Sequence, residues 1–91
     1  MLKIHIKETF SGTRTVAVWV DGSLDGDTIP ILDHVCRRHW EEGRKVQVHL
    51  AGVIRISREG MDFLQEIQDK AQLINPPKFI KLENLEGKTG K

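Results

Sequence analysis

The segment Ser57-Arg58-Glu59-Gly60 lies between an apolar stretch and an amphipathic one, and its serine allows two kinds of chemistry. As a phosphoacceptor, Ser57 would make the protein a regulated switch. As a helix N-cap, its hydroxyl would accept the N–H of Glu59 or Gly60 and would only start a helix. The N-cap is our prediction, because Glu59 in the first turn complements the positive end of a helix and would repel a phosphate placed there. Phosphorylation of Ser57 stays open as the alternative.

The spacing of the other reactive side chains in the sequence does not indicate a catalytic site or a metal site. Cys36 and His39 lie three apart on one helical face, but zinc sites generally use three or four protein ligands. Cys36 also falls in an apolar stripe, so we expect a buried thiol. The Gly-Lys-Thr-Gly-Lys segment at 87–91 lacks the preceding glycine of a phosphate-binding loop, since Leu82 occupies that position. We therefore expect no catalytic residue, no metal and no cofactor.

Hydrophobic periodicity predicts the elements that must position these residues. Alternating apolar residues indicate strands at 2–7, 15–22 and 45–50, the first two joined by a turn at 11–13. A first helix should be capped by Asp27 or Thr28 and should end at Gly43. A second helix should run from about Arg58 to Leu73 and be stopped by Asn-Pro-Pro, followed by a last strand at 78–85. We expect one domain over residues 1–85 and a flexible tail at 86–91.

The predicted order of elements is β-β-α-β-α-β, which favours an α/β fold. Right-handed crossovers place both helices on one face of a four-stranded mixed sheet. The simplest sheet has the order 1-2-3-4, with only strand 1 antiparallel. The opposite face carries His5, Trp19, Gln47 and His49, and is either solvated or covered by a partner. The large aromatic side chain of Trp19 on that face suggests a possible homodimer.

Two segments resemble a known family. The stretch Val-Asp-Gly-Ser-Leu-Asp-Gly-Asp-Thr at 20–28 is similar to the Gly-x-Leu-Asp strand end of the STAS domain, the fold of bacterial anti-sigma-factor antagonists. Residues 45–64 resemble the third strand, loop and second helix of that family. The order and spacing of the elements agree over residues 2–83. The resemblance implies a protein without enzymatic activity that binds a kinase-type anti-sigma factor and is released when a serine following an acid is phosphorylated.

The chain departs from the family at the position of that serine. Gly60 matches the family glycine, but Ser57 stands at the position of the acid, Arg58 at the phosphoacceptor and Glu59 at the second hydroxyl. An arginine cannot accept a phosphate by that chemistry. The resemblance therefore implies docking whose control by phosphorylation at the usual place is lost or altered.

The carboxyl ends of parallel strands form the usual binding edge of an open α/β sheet. Two segments of this chain should meet there, one after the second strand and one before the second helix. We predict a partner-binding surface at this edge, made of Ser23, Asp25, Ile54, Arg58, Glu59 and Asp62. Ordinary loop packing is the alternative for these residues. For the whole protein, the alternative is a structural or self-assembling domain without regulated binding.

The amino-acid composition argues against nucleic acid and anionic membranes as partners and favours a reducing compartment. Of 91 residues, 14 are basic and 13 acidic, so the net charge of +1 offers no electrostatic footprint for nucleic acid or an anionic membrane. The single cysteine cannot form an internal disulfide and fits a reducing compartment. The longest fully apolar run, at 16–20, is far shorter than the roughly 20 residues of a membrane span. We expect a cytoplasmic protein whose partner is another protein.

Overall fold

The computed structural model describes residues 3–80, which form one mixed sheet and two helices. The elements follow in the order β1 (Ile4–Ser11), β2 (Thr15–Leu24), α1 (Ile29–Glu41), β3 (Lys45–Ile56), α2 (Arg58–Ile67) and β4 (Ala71–Ile74). The sheet has the order β1-β2-β3-β4. Strand β1 is antiparallel to β2, whereas β2, β3 and β4 run parallel. The predicted fold class, strand order and strand directions are confirmed.

The hydrophobic core lies between the sheet and the two helices. Every second residue of β2 and β3 points into it, including Val18 and Val48, which are fully buried. The helices contribute Leu32 and Cys36 from α1 and Leu64 from α2. Burying a side chain of this size stabilises the fold by about 1.5–3 kcal/mol. The predicted buried thiol is confirmed, and its burial raises the pKa of Cys36 to about 12.

The second helix and the last strand differ from the prediction. Helix α2 ends at Ile67 rather than at Leu73, and β4 occupies 71–74. Ala71 and Ile74 continue the helical spacing of the apolar residues, so periodicity alone did not mark the end of the helix. In the structure Ala71 is instead the first residue of β4, and it pairs with the buried Val46 of β3.

The strand predicted at 78–85 is wrong over its first three residues. Lys78 and Phe79 lie in a turn, which the Ile80 N–H closes by donating to the Pro77 carbonyl at 2.9 Å. The rest of that prediction and the tail at 86–91 lie outside the described residues. No helix within residues 3–80 has the length and apolar character needed to cross a membrane.

Strand β3 is longer than predicted, and its second half is irregular. Residues 51–56 continue the strand instead of forming a loop. The pairing with β2 shifts register twice. At each shift β3 contains one more residue than the stretch of β2 that it pairs with. At the second shift Gly22 pairs with Val53 and Ser23 with Arg55, so Ile54 is the extra residue. Such irregularities re-aim side chains near functional sites.

Candidate partner-binding site

Strands β2 and β3 end side by side, which brings the two predicted binding segments together. Leu24 pairs with Ile56 at the end of the ladder. The Ser57 N–H then donates to the Leu24 carbonyl at 2.8 Å. The loop that begins at Asp25 and the first turn of α2 are therefore direct neighbours. We call the six predicted residues at this edge the rim: Ser23, Asp25, Ile54, Arg58, Glu59 and Asp62.

A glycine allows α2 to lie directly on the end of β2. A Cβ atom at position 60 would lie 2.7 Å from the Leu24 carbonyl oxygen and 2.8 Å from Cγ1 of Ile56. Real Cβ atoms do not approach neighbouring atoms so closely, so any larger residue would push the helix away from the strand. Gly60 thus fixes the distance between the two halves of the rim.

Ser57 is the N-cap of α2, as predicted. Its hydroxyl oxygen accepts the Gly60 N–H at 3.2 Å, and its backbone is extended. Glu59 lies in the first helical turn, where its charge complements the helix dipole. Phosphorylation of Ser57 stays an untested alternative.

The loop after β2 is held in place by Asp25. Its Oδ1 atom accepts the N–H groups of Asp27 at 2.9 Å and of Thr28 at 3.1 Å. Its Oδ2 atom lies 2.7 Å from Nζ of Lys3. The hydrogen bond from Lys3, reinforced by the two backbone N–H groups, lowers the pKa of Asp25 below its ordinary value. The same contact raises the pKa of Lys3, so both groups stay charged at neutral pH.

The predicted N-cap position of α1 is confirmed at Thr28, but the predicted capping hydrogen bond is not formed. The Thr28 hydroxyl instead donates to the Ser23 carbonyl at 2.8 Å and accepts the Asp25 N–H at 2.9 Å. Asp27 does not cap the helix either, because its carboxylate lies 3.2 Å from Nζ of Lys3. The side chains of Thr28 and Asp27 therefore stabilise the turn that carries Asp25 instead of capping α1.

The exposed residues of the rim are one apolar side chain, Ile54 on β3, and three charged side chains on α2. Ile54 is 76% exposed, more than any other large hydrophobic residue among those described. Arg58 and Asp62 lie four apart on α2 and share one exposed face with Glu59 beside them. None of these three charged groups forms an ion pair with another residue in the range 3–80. The structure therefore places the loop at Asp25 next to the first turn of α2, with Ile54 two residues before the end of β3, and leaves the side chains of Ile54, Arg58, Glu59 and Asp62 exposed.

A second polar cluster, which the sequence did not reveal, joins β1 to α1. His39 is 3% exposed, and its Nε2 atom lies 2.7 Å from Oε1 of Glu8. Arg44 can only donate, so its contact with Nδ1 of His39 at 3.2 Å makes Nδ1 the acceptor and Nε2 the N–H that donates to Glu8. The hydrogen bond from His39, together with that from Arg38, lowers the pKa of Glu8. Because the His39 side chain is buried, its hydrogen bond with Glu8 helps to hold α1 against β1.

Metal binding has no support among residues 3–80. No three or more His, Cys, Asp or Glu side chains in this part of the chain converge to hold an ion. Cys36 and His39 share a helical face, as predicted, but the thiol belongs to the core and the imidazole to the Glu8 cluster.

Comparison with known proteins identifies the fold. No protein-family model matches the chain, and no curated protein matches its sequence. Among solved structures, the chain is similar to an anti-sigma factor antagonist from Mycobacterium paratuberculosis. The two superpose with a TM-score of 0.71 at 16% identity, over 96% of this chain and 80% of that one. At this identity the similarity shows the fold, so the predicted STAS-like architecture is confirmed.

Proposed function

We propose that this protein is a regulatory module without enzymatic activity that docks on a protein partner through the rim. The partner class that the fold favours is an anti-sigma factor or a related regulator. The observation that carries the proposal is the direct contact between the two halves of the rim, where Ser57 bonds to Leu24 and Gly60 lies against the same carbonyl. A binding surface held in place before the partner arrives avoids most of the ordering cost of association.

Ile54 is the residue best placed to supply affinity. A partner that covers this side chain, which is 76% exposed, would gain about 1.5–3 kcal/mol from burial of apolar area. Most of the energy of an interface comes from a few such anchors near its centre. Arg58, Glu59 and Asp62, exposed on the first two turns of α2, add both signs of charge to the rim. Charges in this arrangement select the orientation of the partner and speed its approach.

Regulation by phosphorylation at the start of α2 is not part of the proposal. Arg58, which stands where the STAS resemblance places the phosphoacceptor, has no hydroxyl group. The Ser57 hydroxyl already serves as the helix cap. We propose a docking module in the cytoplasm whose binding is controlled in another way, for example by the amount of protein.

The experiment is a calorimetric titration of purified anti-sigma factors from the source cell with the full chain. The double variant Ile54→Ala/Arg58→Ala should weaken binding about 10- to 100-fold, because the lost burial of Ile54 alone is about 1.5–3 kcal/mol. The control is Arg14→Ala, which removes an exposed arginine from the β1–β2 turn at the opposite end of the sheet. Unchanged affinity in the double variant would show that the rim is not the binding surface. Absence of binding to every anti-sigma factor would show that the partner belongs to another class of protein.

A further inference from the structure

The face of the sheet opposite the helices presents mostly uncharged side chains, with the charged Lys7 and Asp21 next to Trp19. We call it the open face. Its central residues occupy matched positions across the four strands, as the registers of Thr9 with Ala17, Trp19 with His49 and Gln47 with Gln72 show. The open face consists of Thr9, Ala17, Trp19, Gln47, His49, Gln72 and Ile74. Ala17 is buried and Trp19 is 41% exposed, so the surface is largely smooth with one projecting ring.

The indole of Trp19 is already held in one orientation. It stacks on the imidazole of His49 with 3.8 Å between ring centroids and 14° between planes. Its Nε1–H donates to the Thr9 hydroxyl at 3.0 Å. A large aromatic side chain that is fixed in advance loses little entropy when a second surface covers it. Trp19 therefore has the properties of an anchor at the centre of an interface.

Two side chains of opposite charge border Trp19, so the charges of one copy of the chain can pair with those of a second copy. Lys7 lies beside Trp19 across the β1–β2 ladder, and Asp21 lies two residues further along β2. Within residues 3–80 Lys7 forms no ion pair, and the side chain within ion-pair distance of Asp21 is that of His5, whose Nδ1 lies 4.0 Å from Oδ2 of Asp21. A two-fold axis in the plane of the open face, passing near Trp19 and bisecting the directions to Lys7 and Asp21, would bring Lys7 of each copy towards Asp21 of the other. Isologous interfaces require this self-complementarity, whereas an unrelated partner would have no reason to match it.

We propose that the open face binds a second copy of this chain and forms a two-fold symmetric dimer centred on Trp19. This interface goes beyond the docking function, because it uses the sheet face and leaves the rim accessible in both copies. Four strands of 8, 10, 12 and 4 residues, spaced by about 4.8 Å and rising about 3.3 Å per residue, give a face on the order of 500 Å² per copy. Stable specific interfaces bury about 800 Å² per partner, so this dimer should form only at high concentration.

The first test is sedimentation equilibrium of the full chain from about 10 µM to about 1 mM, the range in which a weak dimer forms. The mean mass should rise towards that of two chains. Trp19→Lys should remain monomeric, and Ile54→Lys, a change on the rim, should associate as the natural chain does. If Trp19→Lys does not fold, Gln72→Lys serves instead, because Gln72 is exposed on the open face. A natural chain that stays monomeric at about 1 mM overturns the proposal, as does a dimer that Ile54→Lys abolishes.

The second test addresses the two-fold arrangement by reversing the charges. Lys7→Glu and Asp21→Lys should each weaken association about 3- to 10-fold, and the two changes together should restore it, since exposed pairs contribute up to about 1 kcal/mol. Trp40→Phe leaves Trp19 as the only tryptophan, and its emission should shift to shorter wavelength as the dimer forms. Failure of the double reversal to restore association contradicts the two-fold arrangement. Association without a shift in Trp19 emission contradicts the choice of face.

Discussion

Replacing Gly60 by alanine tests whether the first turn of α2 lies directly on the end of β2. The added Cβ would meet the Leu24 carbonyl oxygen at 2.7 Å and Cγ1 of Ile56 at 2.8 Å. The carbonyl is part of the backbone and cannot rotate away, so the helix or the strand must move. Overpacking of this kind costs about 1–3 kcal/mol.

The cost is partly offset, because alanine favours a helix over glycine by about 1 kcal/mol. The net expectation is a decrease of roughly 1–2 kcal/mol in the free energy of unfolding. For a domain of this size, each kcal/mol lowers the melting temperature by about 4–8 °C. The assay is thermal and urea unfolding followed by circular dichroism.

Gly26 offers a matched control in the loop after β2. A Cβ there has no neighbour within 4 Å, and its backbone does not require glycine. Gly26→Ala should therefore be neutral or stabilise by up to about 1 kcal/mol, because it restricts the unfolded chain. Gly60→Ala with a stability equal to or above that of the natural protein would refute the contact on which the rim depends.

Three further predictions concern the cap, the hydrogen bond between His39 and Glu8, and the thiol. Ser57→Ala should lower the free energy of unfolding by about 1 kcal/mol in urea titrations, because the Gly60 N–H loses its acceptor, whereas Ser11→Ala at an exposed position should not. The folded state lowers the pKa of Glu8 below the ordinary 4.5, so this carboxylate stabilises the protein above that pH and the contribution is lost as pH falls through and below it. Unfolding curves of Glu8→Gln between pH 6 and 3 should therefore depend less on pH than those of the natural protein; equal slopes would contradict the assignment. The Cys36 thiol is fully buried, with its pKa raised to about 12, so an alkylating reagent should modify it only in denaturant; fast modification of the folded protein at pH 8 would be inconsistent with the structure.

Strands β1 and β2 and the first half of β3 could be predicted from the sequence because their apolar residues alternate clearly. Val16, Val18 and Val20 share one side of β2, and that period of two has no helical interpretation. The handedness of the crossovers then left a single simple topology, which placed Asp25 and Ser57 at one edge. For the same reason Trp19 and His49 were predicted on one face, although their stacking was not.

Two features could not be predicted because they depend on tertiary contacts. The apolar residues from Phe63 to Ile74 keep a helical spacing through the true end of α2, and no glycine or proline interrupts them before Pro76. Pairing of Ala71 with Val46 decides that the chain there becomes a strand. The loop expected after Leu50 is likewise absent, because the extra residues of β3 are absorbed by shifts in register.

The central claim is that one protein partner covers Asp25, Ile54 and the first turns of α2 together. The most direct measurement is a nuclear magnetic resonance titration of the labelled chain with a purified anti-sigma factor. The account predicts that the perturbed amides group in residues 23–25 and 54–62. Perturbations grouped instead around Arg14 and Lys45, at the other end of the sheet, would contradict it.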